Sequence, residues 1–257
     1  MNADFGLTAN DYAKYRAGFP DVFFARVFAD GFVKPDVSLV DLGTGTGTLA
    51  RGFALRGCRV LGIDHSEPMI AQAKELSRQM NLNVEYRLAK AEETGLPDSS
   101  IEVVTAGQCW HWFDRPKAAR EVKRILKPNG RIIIAHFDWI PLPGNVVDLT
   151  EELIGQHNPQ WTYRGGTGIY PQWLRDLGQA GFADIRTFSF DVNVPYSAEA
   201  WRGRIRASAG VGASLSPAQV ENFDSELKRL LEERFQASDK TVLQIPHRVF
   251  TVAGFVL

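Results

Sequence analysis

The residues best suited to chemistry stand together in Val40-Asp41-Leu42-Gly43-Thr44-Gly45-Thr46-Gly47-Thr48. An apolar run enters alternating glycines and leaves into a stretch that reads as a helix beginning near Thr48. Glycine permits positive φ and puts no Cβ between main chain and ligand, so such a turn lets a cofactor lie against the backbone. The spacing then separates kinds of cofactor. A dinucleotide turn follows GxGxxG, its third glycine allowing helix and strand to pack closely near a pyrophosphate. Counted from Gly43 and Gly45, that place holds Thr48, and no Lys follows as a phosphate loop requires. Asp41 would repel a pyrophosphate, whereas it complements an ammonium and anchors the loop's amides. The loop, Thr44 included, therefore reads as a cradle for a cofactor with an amino-acid end.

Asp64 closes the next apolar run, Leu61-Gly62-Ile63-Asp64, 21 residues after Gly43. An acid at that place accepts hydrogen bonds from the two hydroxyls of a ribose, which NAD and S-adenosylmethionine share. The alternative is a carboxylate at a helix N-terminus before Ser66. His65 lies beside it and is counted with the cofactor site. A second constellation, Gln108-Cys109-Trp110-His111-Trp112-Phe113, follows the run Ile101 to Ala106, at the edge where open α/β sheets bind ligands. The pKa range of His111 suits a general base, and an aromatic face such as Trp110 attracts a cation. Trp112 and Phe113 read instead as packing under the following helix. His136, after the fifth strand, could also face the cleft.

These groups must be positioned by a scaffold, and the pattern supplies one. Between residues 20 and 137, short β-branched runs alternate with amphipathic stretches, the signature of βαβ units and a parallel sheet. Strands are expected at Val37 to Leu42, Arg59 to Ile63, Val84 to Leu88, Ile101 to Ala106 and Arg131 to His136. Met69, Ala73, Leu76 and Met80 recur at helical spacing after Ser66 and Pro68, and Ala118, Val122, Ile125 and Leu126 do so after Asp114, with Lys127-Pro128-Asn129-Gly130 ending that helix. Asp138 to Gly168 has no sustained period and reads as an irregular lid over an acceptor pocket, with Trp139, Trp161 and Tyr163 as its aromatic contacts. A helix near Gln172 to Ala180, a strand near Ile185 to Val194, a helix opened by a Ser216/Gln219 capping box and a last strand, His247 to Leu257, complete the chain.

The chain thus reads as one α/β domain: a Rossmann-like, doubly wound, mostly parallel seven-stranded sheet with a final antiparallel strand. It divides into an N-terminal cofactor cover (1–34), a cofactor-binding core (35–137), a lid insertion (138–170) and the remaining sheet with substrate-side helices (171–257). A formal net charge of −1 from 29 basic and 30 acidic residues gives no field to draw in nucleic acid. No apolar run is long enough for a membrane span and the polar start lacks a signal peptide, so a cytoplasmic protein without membrane partners is expected, as monomer or homodimer. Cys58 and Cys109, the only two cysteines, have neither disulfide nor zinc spacing and read as reduced packing residues, and no metal is expected.

With these stretches in place, the sequence resembles the class I S-adenosylmethionine-dependent methyltransferases, within the broad small-molecule group that includes trans-aconitate methyltransferase-like and ubiquinone-biosynthesis-like enzymes. The matching segments are Asp41 to Gly47, Gly62 to Met69, Ala91-Glu92-Glu93-Thr94-Gly95-Leu96-Pro97, Gln108 to Phe113 and Leu126 to Gly130. The resemblance implies that Gly43, Gly45 and Gly47 surround the methionine moiety and that Asp64 holds the ribose. Met69 would pack on an adenine face, unless it is core. Ala91 and Glu92 would meet the adenine edge, unless Glu92 is a solvated loop acid. Arg16, in a segment similar to an N-terminal cover, would pair with the methionine carboxylate, although relatives often carry Pro where Ala17 stands. Gln108, Trp110 and His111 would lie beside the sulfonium and acceptor. Methyl transfer to a small-molecule acceptor by in-line displacement is the activity implied. A nicotinamide-dependent oxidoreductase, a cofactor-binding protein without turnover and a nucleic-acid methyltransferase are the competing readings.

Overall fold

The computed structural model describes residues 17–257, and Arg16 lies outside them. Helix α1 (Asp21–Ala29) leads into β1 (Ser38–Leu42), α2 (Thr48–Ala54), β2 (Arg59–Asp64), α3 (Glu67–Gln79), β3 (Val84–Leu88) and β4 (Ile101–Gly107). A 3₁₀ turn at Trp110–Trp112 precedes α4 (Arg115–Ile125) and β5 (Leu126–Trp139). Then come α5 (Val146–His157), α6 (Gln172–Gln179), β6 (Ala183–Ser197), α7 (Ala198–Arg206), α8 (Pro217–Phe235) and β7 (Val242–Phe255).

The seven strands form one sheet in the order β3-β2-β1-β4-β5-β7-β6. Six strands run parallel and one antiparallel, and β7 lies between β5 and β6. β1 pairs in parallel with β2 on one side and β4 on the other. It is buried almost end to end, as a strand covered by helices on both faces must be. Because the chain winds outward in opposite directions from β1 and β4, their carboxyl ends open a crevice where the order reverses. Local chemistry fixes the helices around it. Asp114 caps α4 by accepting from the Lys117 amide, with Pro116 in the first turn, and the Ser216/Gln219 capping box closes at the start of α8.

Backbone contacts divide the chain into two compact units. A core unit comprises Gly18–Phe137, Ile169–Phe190 and Val249–Leu257, and a second unit comprises Asp138–Gly168 and Asp191–Arg248 with Ala17 at its described start. Each has its own apolar cluster. The core unit packs Val40, Leu42, Val104, Trp110, Val122, Ile134 and Trp173. The second unit packs Val147, Ile154, Trp161, Trp201, Phe223, Leu227 and Ile245.

Several expectations are corrected. Asp138 to Gly168 is not irregular: it carries the end of β5 and the whole of α5, capped by Asn145 accepting from the Asp148 amide. The buried stripe Val146, Val147, Thr150, Leu153 and Ile154 was masked in the sequence by flanking Pro, Gly and Asn. Helix α7 is an element that the sequence pattern does not mark, and the last strand starts at Val242 rather than His247. Lys127 to Gly130 already belongs to β5, so α4 stops at Ile125 without a separate turn. Met80, placed on the α3 stripe, is exposed.

Candidate functional site

In the core unit, β1 delivers Asp41 and the glycine turn to its carboxyl end. Asp41 is only 1% exposed, and its two carboxylate oxygens accept from the hydroxyls of Thr44 and Thr105, each at 2.7 Å. Burial pushes its pKa up from 3.8 to about 6, against the pull of those hydroxyls. Asp41 thus holds the loop through the Thr44 hydroxyl, not through the loop's amides as its position suggests, and ties β1 to β4 through Thr105. The Thr44 amide donates to the Ile63 carbonyl at 3.0 Å and the Gly47 amide to the Thr44 carbonyl at 2.8 Å, closing the turn.

The three glycines differ in what requires them. A Cβ on Gly43 would strike Cys109 and Phe113 at 2.8 to 2.9 Å, and one on Gly47 would strike the Tyr86 hydroxyl. At Gly45 a Cβ would meet nothing within 4 Å. Its φ of +54° still disfavours other residues, but the space it leaves open is not used by the protein.

Asp64, at the end of β2, is held beside that opening. Its Oδ2 accepts from the Gly45 amide at 2.8 Å and its Oδ1 from the Ser66 amide at 2.9 Å. A carboxylate offers about four lone-pair sites, so two amides fix its plane and leave roughly one site on each oxygen. That is the geometry a vicinal diol can use. His65 stands 3.5 Å from Oδ1 and is itself largely exposed. Met69 is buried in the first turn of α3, and Ala91 joins the core cluster. Glu92 is half-buried, and its Oε1 accepts from the Asp114 amide at 2.8 Å, so part of its work is to steady the start of α4.

The segment after β4 is arranged differently from expectation. Gln108 takes a φ of +60°, a conformation costing a residue with a Cβ about 1 kcal/mol or more, and its amide donates to the Ala135 carbonyl at 2.8 Å. That bend turns the chain abruptly at the carboxyl end of β4. Trp110 is fully buried, its Nε1 donating to Asp176 at 3.0 Å, and Arg115 pairs with the same carboxylate at 3.1 Å. It is therefore core, not a pocket wall. Trp112, expected to pack, is 47% exposed, because a three-residue 3₁₀ turn cannot bury both tryptophans on one side. Phe113 does pack against the core cluster. His111 is exposed, with its ring 5.4 Å from that of His136, and His136 lies 4.6 Å from Tyr170, which stacks on Trp173 at 4.5 Å.

No motif or spacing in the sequence marks Thr105, Tyr86 or Tyr170. Thr105 follows Asp41 by 64 residues and Tyr170 is remote from His136, so no local spacing links either pair. In the second unit, Trp139 donates from Nε1 to Glu151 at 2.8 Å, and Tyr163 is exposed. Trp161 is buried in the second unit's apolar cluster, against Gly210, so its ring is spent on packing and not on a ligand. Among the described residues no cluster of metal-ligating side chains occurs, and no helix is long and apolar enough to cross a membrane.

A parallel sheet with a reversal between β1 and β4, a glycine turn with one open position and a tethered acid at the end of β2 define a nucleoside-cofactor protein. Residues 40–134 match the family described as a methyltransferase domain. An uncharacterized methyltransferase of Mycobacterium bovis is 31% identical over 198 residues, 69% of this chain and 76% of that protein. An uncharacterized methyltransferase of Schizosaccharomyces pombe is 24% identical over 95% of this chain and 92% of its own length. A methyltransferase structure from Anaeromyxobacter dehalogenans superposes with a TM-score of 0.66 at 20% identity, covering 95% of this chain and 99% of that one. Phosphoethanolamine N-methyltransferase 2 of Haemonchus contortus, solved with phosphomonomethylethanolamine and S-adenosylhomocysteine, gives 0.58 at 22% identity, covering 96% and 56%. The chain belongs to the class I S-adenosylmethionine-dependent methyltransferases.

Proposed function

We propose that this methyltransferase acts on a small-molecule acceptor, with the core unit holding the cofactor and the second unit recognising the acceptor. The observation that carries the cofactor half is Asp64, oriented by the Gly45 and Ser66 amides next to a glycine whose Cβ position is open. In this reading Asp64 accepts the two ribose hydroxyls, Gly45 and its neighbours line the methionine end, and Met69, Ala91 and Glu92 border the adenine. Arg16 is assigned to the methionine carboxylate. S-adenosylmethionine, when bound, supplies a methyl group activated by the sulfonium. For in-line displacement, what the chain must contribute is alignment and exclusion of water. Where the acceptor's nucleophile carries a proton, His111 is the group that takes it; a carboxylate nucleophile needs no base.

Two observations support a small acceptor over a macromolecule. The net charge is −1, with no excess of cations to hold a polyanion. The solved methyltransferase of Haemonchus contortus, of the same fold, is bound to a small amine phosphate. The test is incubation with S-adenosylmethionine labelled in its methyl group and a cell extract divided into fractions above and below about 3 kDa. Label is expected in the small fraction, matched by an equal amount of S-adenosylhomocysteine. Label confined to protein or nucleic acid would overturn the acceptor class.

A further inference from the structure

Helix α7 of the second unit carries three arginines at alternate positions, and the structure treats one of them differently. Arg202 pairs with Glu199 at 3.1 Å, with Asp239 at 2.9 Å and with Asp224. Arg206 pairs with Asp224 at 2.6 Å and Glu199 at 3.0 Å. Residues two apart on a helix point about 200° apart, so Arg204 leaves the opposite side from both. Its guanidinium lies over the Trp139 ring, 4.7 Å from the centroid, and near the Tyr196 hydroxyl, which favours its charge. Among the described residues no carboxylate stands within 4.0 Å of it.

The surroundings of Arg204 do not neutralise it. Glu151 accepts from the Trp139 indole and from the Gly165 amide, which occupies one bond on each of its oxygens. Asp138 acts on Arg204 only at longer Coulombic range. His247 stacks on Tyr196 with centroids 6.1 Å apart, and its Nδ1 sits 2.9 Å from the Ile245 carbonyl. A carbonyl only accepts, so Nδ1 carries the proton, and burial lowers the pKa to about 4 and keeps the ring uncharged. One cation is thus held at a half-buried place among aromatic rings, where burial disfavours its charge. A buried charge without a counter-ion is costly, and the guanidinium fork matches a carboxylate with two parallel bonds.

We propose that Arg204, backed by Trp139 and Tyr196, binds the carboxylate of a small organic acid, and that this acid is the methyl acceptor. The second clause rests on the proposed function; the binding itself does not. A phosphate fits less well, because a dianion would meet one cation, a neutral histidine and the nearby negative charge of Asp138.

The test is calorimetric titration of the full chain, in saturating S-adenosylhomocysteine, with benzoate, cinnamate and octanoate, each paired with its primary amide, and with inorganic phosphate. At least one acid is expected to bind at least tenfold more tightly than its amide. Arg204→Gln is expected to remove that preference, and Arg204→Lys, which keeps the charge without the fork, to reduce it; neither should change S-adenosylhomocysteine affinity. The lysine variant carries the test if the glutamine variant fails to fold. The proposal is overturned if no acid is preferred, if the preference survives unchanged in the variants that fold, or if phosphate binds as tightly as the acids. Failure of the wild-type chain to bind S-adenosylhomocysteine would instead sink the cofactor assignment, and the acid titrations repeated without it would still decide on Arg204.

Discussion

The two compact units solve the problem of a buried charged group in opposite ways. In the core unit, Asp41 is a carboxylate sealed under hydroxyl donors, and its pKa rises to about 6. In the second unit, His247 is an imidazole sealed against an aromatic ring, and its pKa falls to about 4. Burial opposes the charged form in both, so acid relieves one unit and strains the other. The placement of the proposed site residues differs as well. The core unit draws Asp41, Gly45 and Asp64 from one βαβ stretch, whereas the second unit assembles Trp139, Tyr196, Arg204 and His247 from four separate elements.

The largest effect that probes this contrast is at Gly45. Gly45→Val is expected to abolish S-adenosylhomocysteine binding in calorimetry, since the branched side chain enters the one open position in the turn, while the melting temperature falls only by the cost of a strained φ. Retained affinity would place the cofactor elsewhere. Collapse of the fold would make the glycine structural, like Gly43 and Gly47.

The next effect is pH dependence, with opposite signs in the two units. The unfolded Asp41 pKa is 3.8 and the folded one about 6, so the folded state holds the extra proton between those values. As pH falls from 6 to 4 the core unit is relieved of a penalty that reaches about 3 kcal/mol. For His247 the unfolded value is 6.5 and the folded one about 4, so over the same interval the unfolded state takes up the proton and the second unit loses about 3 kcal/mol. Hydrogen exchange should show α5 and α8 losing protection as β1 and β4 gain it. His247→Gln should flatten the first trend and Asp41→Asn the second. Trends of the same sign in both units would end the comparison.

Asp64→Ala is expected to weaken cofactor binding by about 1.5 to 3 kcal/mol, through loss of charge-assisted bonds to the ribose and release of the Gly45 and Ser66 amides. Unchanged affinity would remove Asp64 from the site. The smallest effect sharpens the division of labour. Replacing Trp139 and Tyr163 together by Ala should alter turnover and acceptor preference yet leave cofactor affinity within roughly threefold, because binding energy spent on the acceptor is separable from that spent on the cofactor. A tenfold loss of cofactor affinity with preference intact would show that these residues serve the cofactor.

What the sequence determined by itself was local. Parallel strands buried on both faces leave continuous apolar runs, and the turn between β1 and α2 confines its glycines to a few adjacent positions, so the positions of the first five strands, the glycine loop and Asp64 were legible from spacing. The capping box of α8 was legible for the same reason. Only the tertiary structure decided which of two neighbouring tryptophans is buried: a 3₁₀ turn sends Trp110 to Asp176 and leaves Trp112 outside. It also decided that Trp161 is core, that Asp41 is held by a threonine 64 residues away, and that Arg204, alone among three arginines of one helix, pairs with no carboxylate among the described residues. Such pairings depend on which elements pack together. The free energy of a buried polar contact is fixed by partners that chain order does not reveal, whereas a turn's backbone demands are met by the residues of the turn itself.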